Sequence, residues 1–253
     1  MRTVRFIYNN QELFGIFRHP IITILDAAPW LNGKETGETV SFEKVQFLAP
    51  CKPNKIIGIA INYPGSTGGN VDFKEPLVFL KPSTSIIGDN AVINSPFKNT
   101  NVWGECELVI VIGKRLCKVN DEEARAGIFG YTIGNDVSAD NVQEWDHHLA
   151  RSKAADSFCV LGPWIDTEFE PNGKFIRGFH NDILLRQGIL SDRLWAEPKL
   201  LVWLSQWMTL EPGDVILTGA PMRVRERIFL EAGDSYTCEI EGLGSIKNDF
   251  TND

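Results

Sequence analysis

Histidine is scarce in this 253-residue sequence, with four residues in all, and cysteine is nearly as rare, with five. The cysteines (Cys51, Cys106, Cys117, Cys159, Cys238) are odd in number, widely spaced and form no C-x-x-C pair. That argues against a disulfide framework and predicts reduced, mostly packing thiols in a cytoplasmic protein. Basic charge is short as well. Against 33 Asp and Glu stand 25 Lys and Arg, giving a formal net charge of -8 and a pI near 5.1. Such a balance argues against nucleic-acid and anionic-membrane partners. No signal peptide opens the sequence, and no apolar run approaches membrane-spanning length, so no membrane partner is expected. Repeats, low-complexity tracts and nucleotide fingerprints are also missing. The glycine-rich run Pro64-Gly65-Ser66-Thr67-Gly68-Gly69-Asn70 lacks the Lys-Ser/Thr ending of a phosphate-binding loop. It reads as a lid over a site or as a surface turn.

What is present is a globular composition, 43% hydrophobic and 23% charged, in a chain long enough to bury a core without staples. The chain is organised around residues 103–164. Residues 107–112 are an acid followed by five apolar residues and bounded by Gly113, which predicts a strand buried on both faces. Side chains at i and i+2 share a face of a strand, so Glu105 and Glu107 point the same way at its entry. Asp136 ends an apolar run of its own. Three converging carboxylates with no Cys or His motif nearby suit a hard divalent ion such as Mg²⁺, Mn²⁺ or Ca²⁺. The competing reading leaves the glutamates on a solvated strand end and Asp136 capping a loop.

Residues 1–50 read as a small β-rich module, with a hairpin turning at Asn9-Asn10 and a short helix over residues 22–31. The prolines of Ala49-Pro50-Cys51-Lys52-Pro53 mark the boundary to a second unit, residues 51–253. Asn120-Asp121-Glu122-Glu123 predicts a capped helix start, and Leu200, Leu201, Leu204, Trp207 and Met208 fall at helical, core-facing spacing after Pro198.

The order of several short motifs resembles the fumarylacetoacetate hydrolase family. They are Asn62-Tyr63, Pro76-x-x-Phe79-x-Lys81-Pro82, Glu105-x-Glu107, Gly130-Tyr131 to Asn135-Asp136, Gln143, Lys153 and Gly162-Pro163. The likeness continues through Leu210-x-Pro212-Gly213-Asp214-Val215-Ile216-Leu217-Thr218-Gly219-x-Pro221 and closes on Gly233-Asp234 and Glu241-Gly242-Leu243-Gly244. The resemblance implies a β-rich α+β fold, a mixed β-sandwich or roll preceded by the small N-terminal module, and a homodimer. It implies one divalent metal and a 2-oxo acid or enol dicarboxylate as substrate, with hydrolysis, decarboxylation or isomerisation as the reaction. By position, Glu105, Glu107 and Asp136 match the metal ligands. Lys153 and Gln143 match catalytic residues, while Tyr63, Lys81 and Ala220 fall at substrate-binding places. Taken without the family, Lys153 reads as a surface lysine and Lys81 as a solvated strand end.

The departures are equally specific. Family hydrolases and decarboxylases often carry a His and a Glu just after the Asn-Tyr pair. Here those places fall near Ser66 and Gly69, and no histidine occurs between Asn62 and Phe79. Loss of that dyad removes the usual base and leaves three alternatives: a metal-dependent lyase or isomerase, an acylpyruvate hydrolase that recruits another base such as His147 or His148, or a homologue that binds metal or 2-oxo acid without efficient turnover. Asp140-Asn141 stands where an Arg-Asp pair is usual, and Ala220 replaces a threonine. Met222-Arg223-Val224-Arg225 replaces a glycine-rich turn, as a carboxylate clamp or as a solvated basic loop. His147 and His148 are adjacent, so at most one could face a metal. His180 reads as structural.

Overall fold

In the computed structural model, residues 1–65, 73–141 and 145–252 are described. The chain opens with β1 (Arg2–Tyr8), β2 (Gln11–Arg18), β3 (Ile21–Leu25), β4 (Glu35–Ser41) and the short β5 (Gln46–Phe47). Then come β6 (Ile56–Ala60), β7 (Leu77–Lys81), β8 (Ile86–Ile87), β9 (Ile93–Asn94) and β10 (Val102–Trp103). The middle of the chain supplies β11 (Cys106–Ile112), α1 (Asp121–Ala126), β12 (Ile128–Asp136), β13 (Ser138–Ala139), α2 (Ala150–Lys153) and β14 (Cys159–Asp166). Last are β15 (Phe175–His180), β16 (Ile183–Ile189), α3 (Lys199–Ser205), β17 (Val215–Leu217), β18 (Ser235–Ile240) and β19 (Gly244–Thr251). The β-rich α+β expectation holds.

Among the described residues one large sheet runs in the order β4-β3-β2-β1-β14-β12-β11-β17-β6-β7, and a five-stranded sheet runs β16-β15-β18-β19-β9. The strands of residues 1–50 join the large sheet directly, because β1 pairs with β14 at Arg2↔Asp166 and Thr3↔Ile165. The hairpin turns where expected. Asn9 and Asn10 hold φ of 48° and 60°, the left-handed pair that lets a two-residue turn match strand twist.

The helix expected over residues 22–31 is not there. That stretch is β3 followed by a single 3₁₀ turn at Pro29–Leu31. Ile22 and Ile24 alternate with Thr23, and both isoleucines are buried against Val4, Phe6 and Val40. A β-branched run with period two fits a strand better than a helix.

Strand β11 is buried along its whole length, as an apolar run between two layers requires. Leu108, Ile110 and Ile112 join the core shared with Ile176, Tyr236 and Ile246 of the second sheet. On the other face Val109 and Val111 pack with Ile56, Leu161 and Leu217. At roughly 25 cal/mol per Å² of apolar surface removed from water, this double layer fixes β11 far more firmly than its hydrogen bonds alone. Helix α1 starts on a complete capping box, with Asn120 accepting from the Glu123 N–H and Glu123 accepting from the Asn120 N–H. Leu200, Leu201 and Leu204 of α3 are core residues.

Candidate active site

Glu105 immediately precedes β11 and Glu107 lies inside it. The antiparallel β11–β12 register sets Cys106 opposite Asn135 and Glu107 opposite Gly134. One step beyond, the Asp136 N–H donates to the Glu105 carbonyl at 2.9 Å. Cross-strand neighbours point to the same face, so the Asp136 side chain stands beside those of Glu105 and Glu107. Opposite Glu107, Gly134 lies where a Cβ would come within 2.6 Å of Val109 and 2.7 Å of Leu217, so the packing of this strand pair requires glycine there. Each acid offers an oxygen, and these lie within 4.8 Å of one another. The solvated-strand-end reading is overturned for Glu107, which is buried, and the loop-cap reading for Asp136, which is buried at the end of β12.

Three cations surround the acids. Lys153, the last residue of α2, donates to Glu105 Oε2 at 2.9 Å, to Ser138 Oγ at 2.6 Å and to Asp136 Oδ2. Its ammonium also lies 4.9 Å from the centre of the Phe79 ring. Arg186 of β16, itself buried, donates to Glu105 Oε1 at 2.8 Å and to the Pro221 carbonyl at 2.7 Å. Lys81 donates to Asp136 Oδ1 from behind, and to the Val137 carbonyl at 3.3 Å. Glu107 makes no ion pair among the described residues. Its Oε2 accepts the Gly219 N–H at 2.5 Å. Gly219 holds φ at +91°, and a Cβ there would approach Asn62 Cβ to 2.7 Å, so only glycine brings this N–H to the carboxylate. Asn62 fixes the turn by donating to the carbonyls of Trp195 (2.9 Å) and Thr218 (2.8 Å).

The electrostatics follow from these neighbours. Burial disfavours the Glu105 carboxylate, but Lys153 and Arg186 outweigh it and hold the group below the usual carboxylate range. Burial pushes Glu107 well up, reinforced by the negative charges of Asp136 and Glu105. Burial also works against the Lys153 ammonium, yet Asp136 and Glu105 hold it above an ordinary lysine.

A cavity of about 240 Å³ opens over the group. Its walls include Glu105, Glu107, Asp136, Lys153, Phe79, Ala220 and the Ile59–Ile61 segment, with Arg186, Arg223 and Arg227 at one side. Ile61 holds φ at +55°, a rare conformation for a β-branched residue, and it does so on the cavity wall.

Ala220 therefore lies on the cavity. Tyr63 is buried beyond it and off the wall, where burial pushes its phenol up. Lys81 is neither a solvated strand end nor on the cavity wall: its side chain is fully buried behind Asp136. Gln143, Ser66 and Gly69 lie outside the described residues. None of the four histidines lines the carboxylate cavity. His147 and His148 are exposed and face a separate groove with Leu77 and Leu80 of β7. His180 donates to Asp234 at 2.9 Å, and His19 packs against Phe17 and Phe42. The residues that sequence reasoning missed are Arg186, Arg227 and Ser138. A signal existed for the first, since an arginine inside an apolar strand needs a buried anionic partner.

Residues 55–251 match the family model described as fumarylacetoacetate hydrolase C-terminal, and residues 1–50 match one described as Rv2993c-like, N-terminal. The chain belongs to the fumarylacetoacetate hydrolase family. Among the family's members, protein Rv2993c of Mycobacterium tuberculosis is 38% identical over 219 residues, covering 84% of this chain and 81% of that one. The mitochondrial oxaloacetate tautomerase fahd2 of Xenopus laevis is 36% identical over 225 residues, covering 83% and 69%. The crystal structure of a 5-carboxymethyl-2-hydroxymuconate delta-isomerase from Mycobacterium smegmatis superposes with a TM-score of 0.91 at 35% identity over the whole of both chains. The chain is thus an enzyme of the fumarylacetoacetate hydrolase family. No helix among its described residues is long and apolar enough to cross a membrane.

Proposed function

We propose that this fumarylacetoacetate hydrolase family member is a divalent-metal-dependent isomerase that interconverts keto and enol forms of a 2-oxo acid in a degradative pathway. One observation carries the reading. Three carboxylates meet within 4.8 Å on a cavity that Lys153 shares and that no histidine lines. The all-oxygen donor set of Glu105, Glu107 and Asp136 fits a hard cation, Mg²⁺ first, with Mn²⁺ or Ca²⁺ as competitors. When bound, such an ion supplies Lewis-acid polarisation of the substrate keto oxygen.

The chain's own residues do the rest. Lys153 lies against Asp136 and Glu105, which hold its ammonium above an ordinary lysine, and its role is that of a fixed cation facing the oxyanion of an enolate. Arg186 holds Glu105 through Oε1 while Lys153 takes Oε2, so this carboxylate is fixed on the cavity wall between two cations. Phe79 and the Ile59–Ile61 segment add apolar wall to a cavity otherwise lined mostly by charged side chains, and the Phe79 ring centre lies 4.9 Å from the Lys153 ammonium. Gln143 remains a candidate for a hydrogen bond to the substrate. Ketonisation takes the proton from the enol oxygen and returns one to C3 by exchange with solvent water. It consumes no nucleophilic water, so a cavity lined by no histidine weighs against hydrolysis more than against isomerisation. The same lack is what favours a second reading, a homologue that binds metal and 2-oxo acid without efficient turnover.

Loss of the enol absorbance of oxaloacetate, followed with and without Mg²⁺ or Mn²⁺, tests the proposal. Wild-type protein is expected to accelerate ketonisation only with metal. Glu107→Gln, which keeps an acceptor for the Gly219 N–H but removes a charge, is expected to lose both that acceleration and calorimetric metal binding. Metal and acid binding without acceleration would favour the second reading. A wild-type protein that binds no divalent cation would sink both.

A further inference from the structure

Beside the carboxylate cavity lies a second cavity of about 420 Å³ that shares Arg186 and Arg223 with it as walls. Its charged lining is Arg186, Arg223 and Arg225 against one acid, Glu226. The chain builds this concentration deliberately in space. Residues 222–224 are pinned along β16: the Gln187 N–H donates to the Met222 carbonyl at 3.3 Å, and the Val224 N–H donates to the Leu185 carbonyl at 2.8 Å. The resulting bridge sets Arg223 directly opposite Arg186. Like charges facing each other across such a pair are destabilising, and the acid that meets them, Glu105, pairs with Arg186 and not with Arg223 among the described residues.

Arg227 sharpens the point. Its guanidinium stacks 3.9 Å from the Trp103 ring, and its Nε is buried with no hydrogen-bond partner among the described residues. Burial and the neighbouring charge of Arg223 hold Arg227 below the ordinary arginine value. Arg186 is already committed to Glu105 and the Pro221 carbonyl, whereas Arg223, Arg225 and Arg227 make no salt bridge among the described residues. Arg227, half-buried and stacked with no acid, and the exposed Arg223 on the same cavity are the pattern of a site for a planar anion, which a guanidinium fork binds through two parallel hydrogen bonds.

We propose that Arg223 and Arg227 form a clamp for the far carboxylate of a 2-oxo diacid, at the side of the cavity formed by Glu105, Glu107 and Asp136. The proposal rests on the reading of that cavity as a 2-oxo acid site and deepens it. The acid's 2-oxo carboxylate end goes to the metal and Lys153, and its second carboxylate goes to the arginines. The pair thereby sets specificity for diacids over mono-acids of equal length.

The test is calorimetric binding to the full chain loaded with Mg²⁺, using oxaloacetate and 2-oxobutyrate, which have four carbons each and differ in a terminal carboxylate against a methyl. Wild-type protein is expected to bind oxaloacetate roughly ten- to a hundredfold more tightly. The double variant Arg223→Gln/Arg227→Gln is expected to bring the ratio of the two affinities close to one. Because Arg227 packs on Trp103, the exposed Arg223→Gln is made alone as well, and it is expected to shrink the ratio part of the way. Equal affinities in the wild type, or a ratio that survives in both variants, would overturn the clamp and leave the 2-oxo acid site standing. Binding of neither acid would overturn both.

Discussion

The two ends of the β11–β17 strand pair bury carboxylates in opposite ways. The pair is antiparallel, with Val109 opposite Leu217 and Val111 opposite Val215. At one end Asp214 accepts the Lys55 N–H at 3.1 Å and the Glu211 N–H at 2.7 Å, and its charge is met by the Lys55 ammonium at 2.5 Å. Its oxygens are saturated by backbone and by a single lysine, in the turn that starts β17. At the other end Glu107 has, among the described residues, one backbone N–H, two acidic neighbours and no ion pair. A saturated carboxylate has nothing left for a ligand, whereas an under-donated one keeps lone pairs facing the cavity. Structural and chemical acids are separated here by donor supply and not by burial, which is nearly complete for both.

Breaking the saturated end is expected to have the largest effect. Asp214→Ala leaves two N–H groups and Lys55 without their acceptor, and should cost about 3–5 kcal/mol of stability, read as a fall in the denaturant midpoint. A loss under 1 kcal/mol would mean that the turn, and not the carboxylate, holds this end. At the other end the expected loss is in rate. Lys153→Met removes the fixed cation and should lower kcat for ketonisation by about 10²–10³-fold with metal present, while Lys81 and Arg186 still face Asp136 and Glu105. A variant with unchanged kcat would assign Lys153 to scaffolding.

The smallest effect belongs to the far side of the sheet, where Glu12 pairs with Arg5 at 2.8 Å. Arg5 holds the Glu12 carboxyl below the usual range against a slight opposing effect of burial. A folded-state value below the unfolded one means that the stabilisation is present above the unfolded value and fades as pH falls through the folded one. Because Glu12 is substantially exposed, Glu12→Gln should cost only about 0.2–1 kcal/mol near neutrality. The melting temperatures of variant and wild type should converge on acidification. A gap that widened in acid would contradict the pairing.

Much of the site was legible locally. The alternation of Glu105 and Glu107 into a buried run fixed their shared face, and the apolar stretch ending at Asp136 marked its strand. The asparagine pair at Asn9-Asn10 announced its hairpin by the same kind of short-range rule. What could not be read was long-range. Lys81 meets an acid 55 positions away and Arg186 one 81 positions away, and nothing near either residue encodes those distances. The misplaced helix of residues 22–31 failed for a related reason. Its burial is decided by β2 and β4 on either side, which override a short apolar run that suits helix and strand alike.

The pairing of β1 with β14 carries a practical consequence for anyone dissecting the molecule. Trimming residues 1–50 would uncover backbone groups near Ile165 and Asp166, and would strip Phe17 from the Trp164 indole, 6.1 Å between ring centres. An exposed strand rim with an aromatic beside it is a template for other chains. A truncated product would therefore be expected to self-associate, and its loss of turnover would say nothing about whether the removed segment takes part in the chemistry.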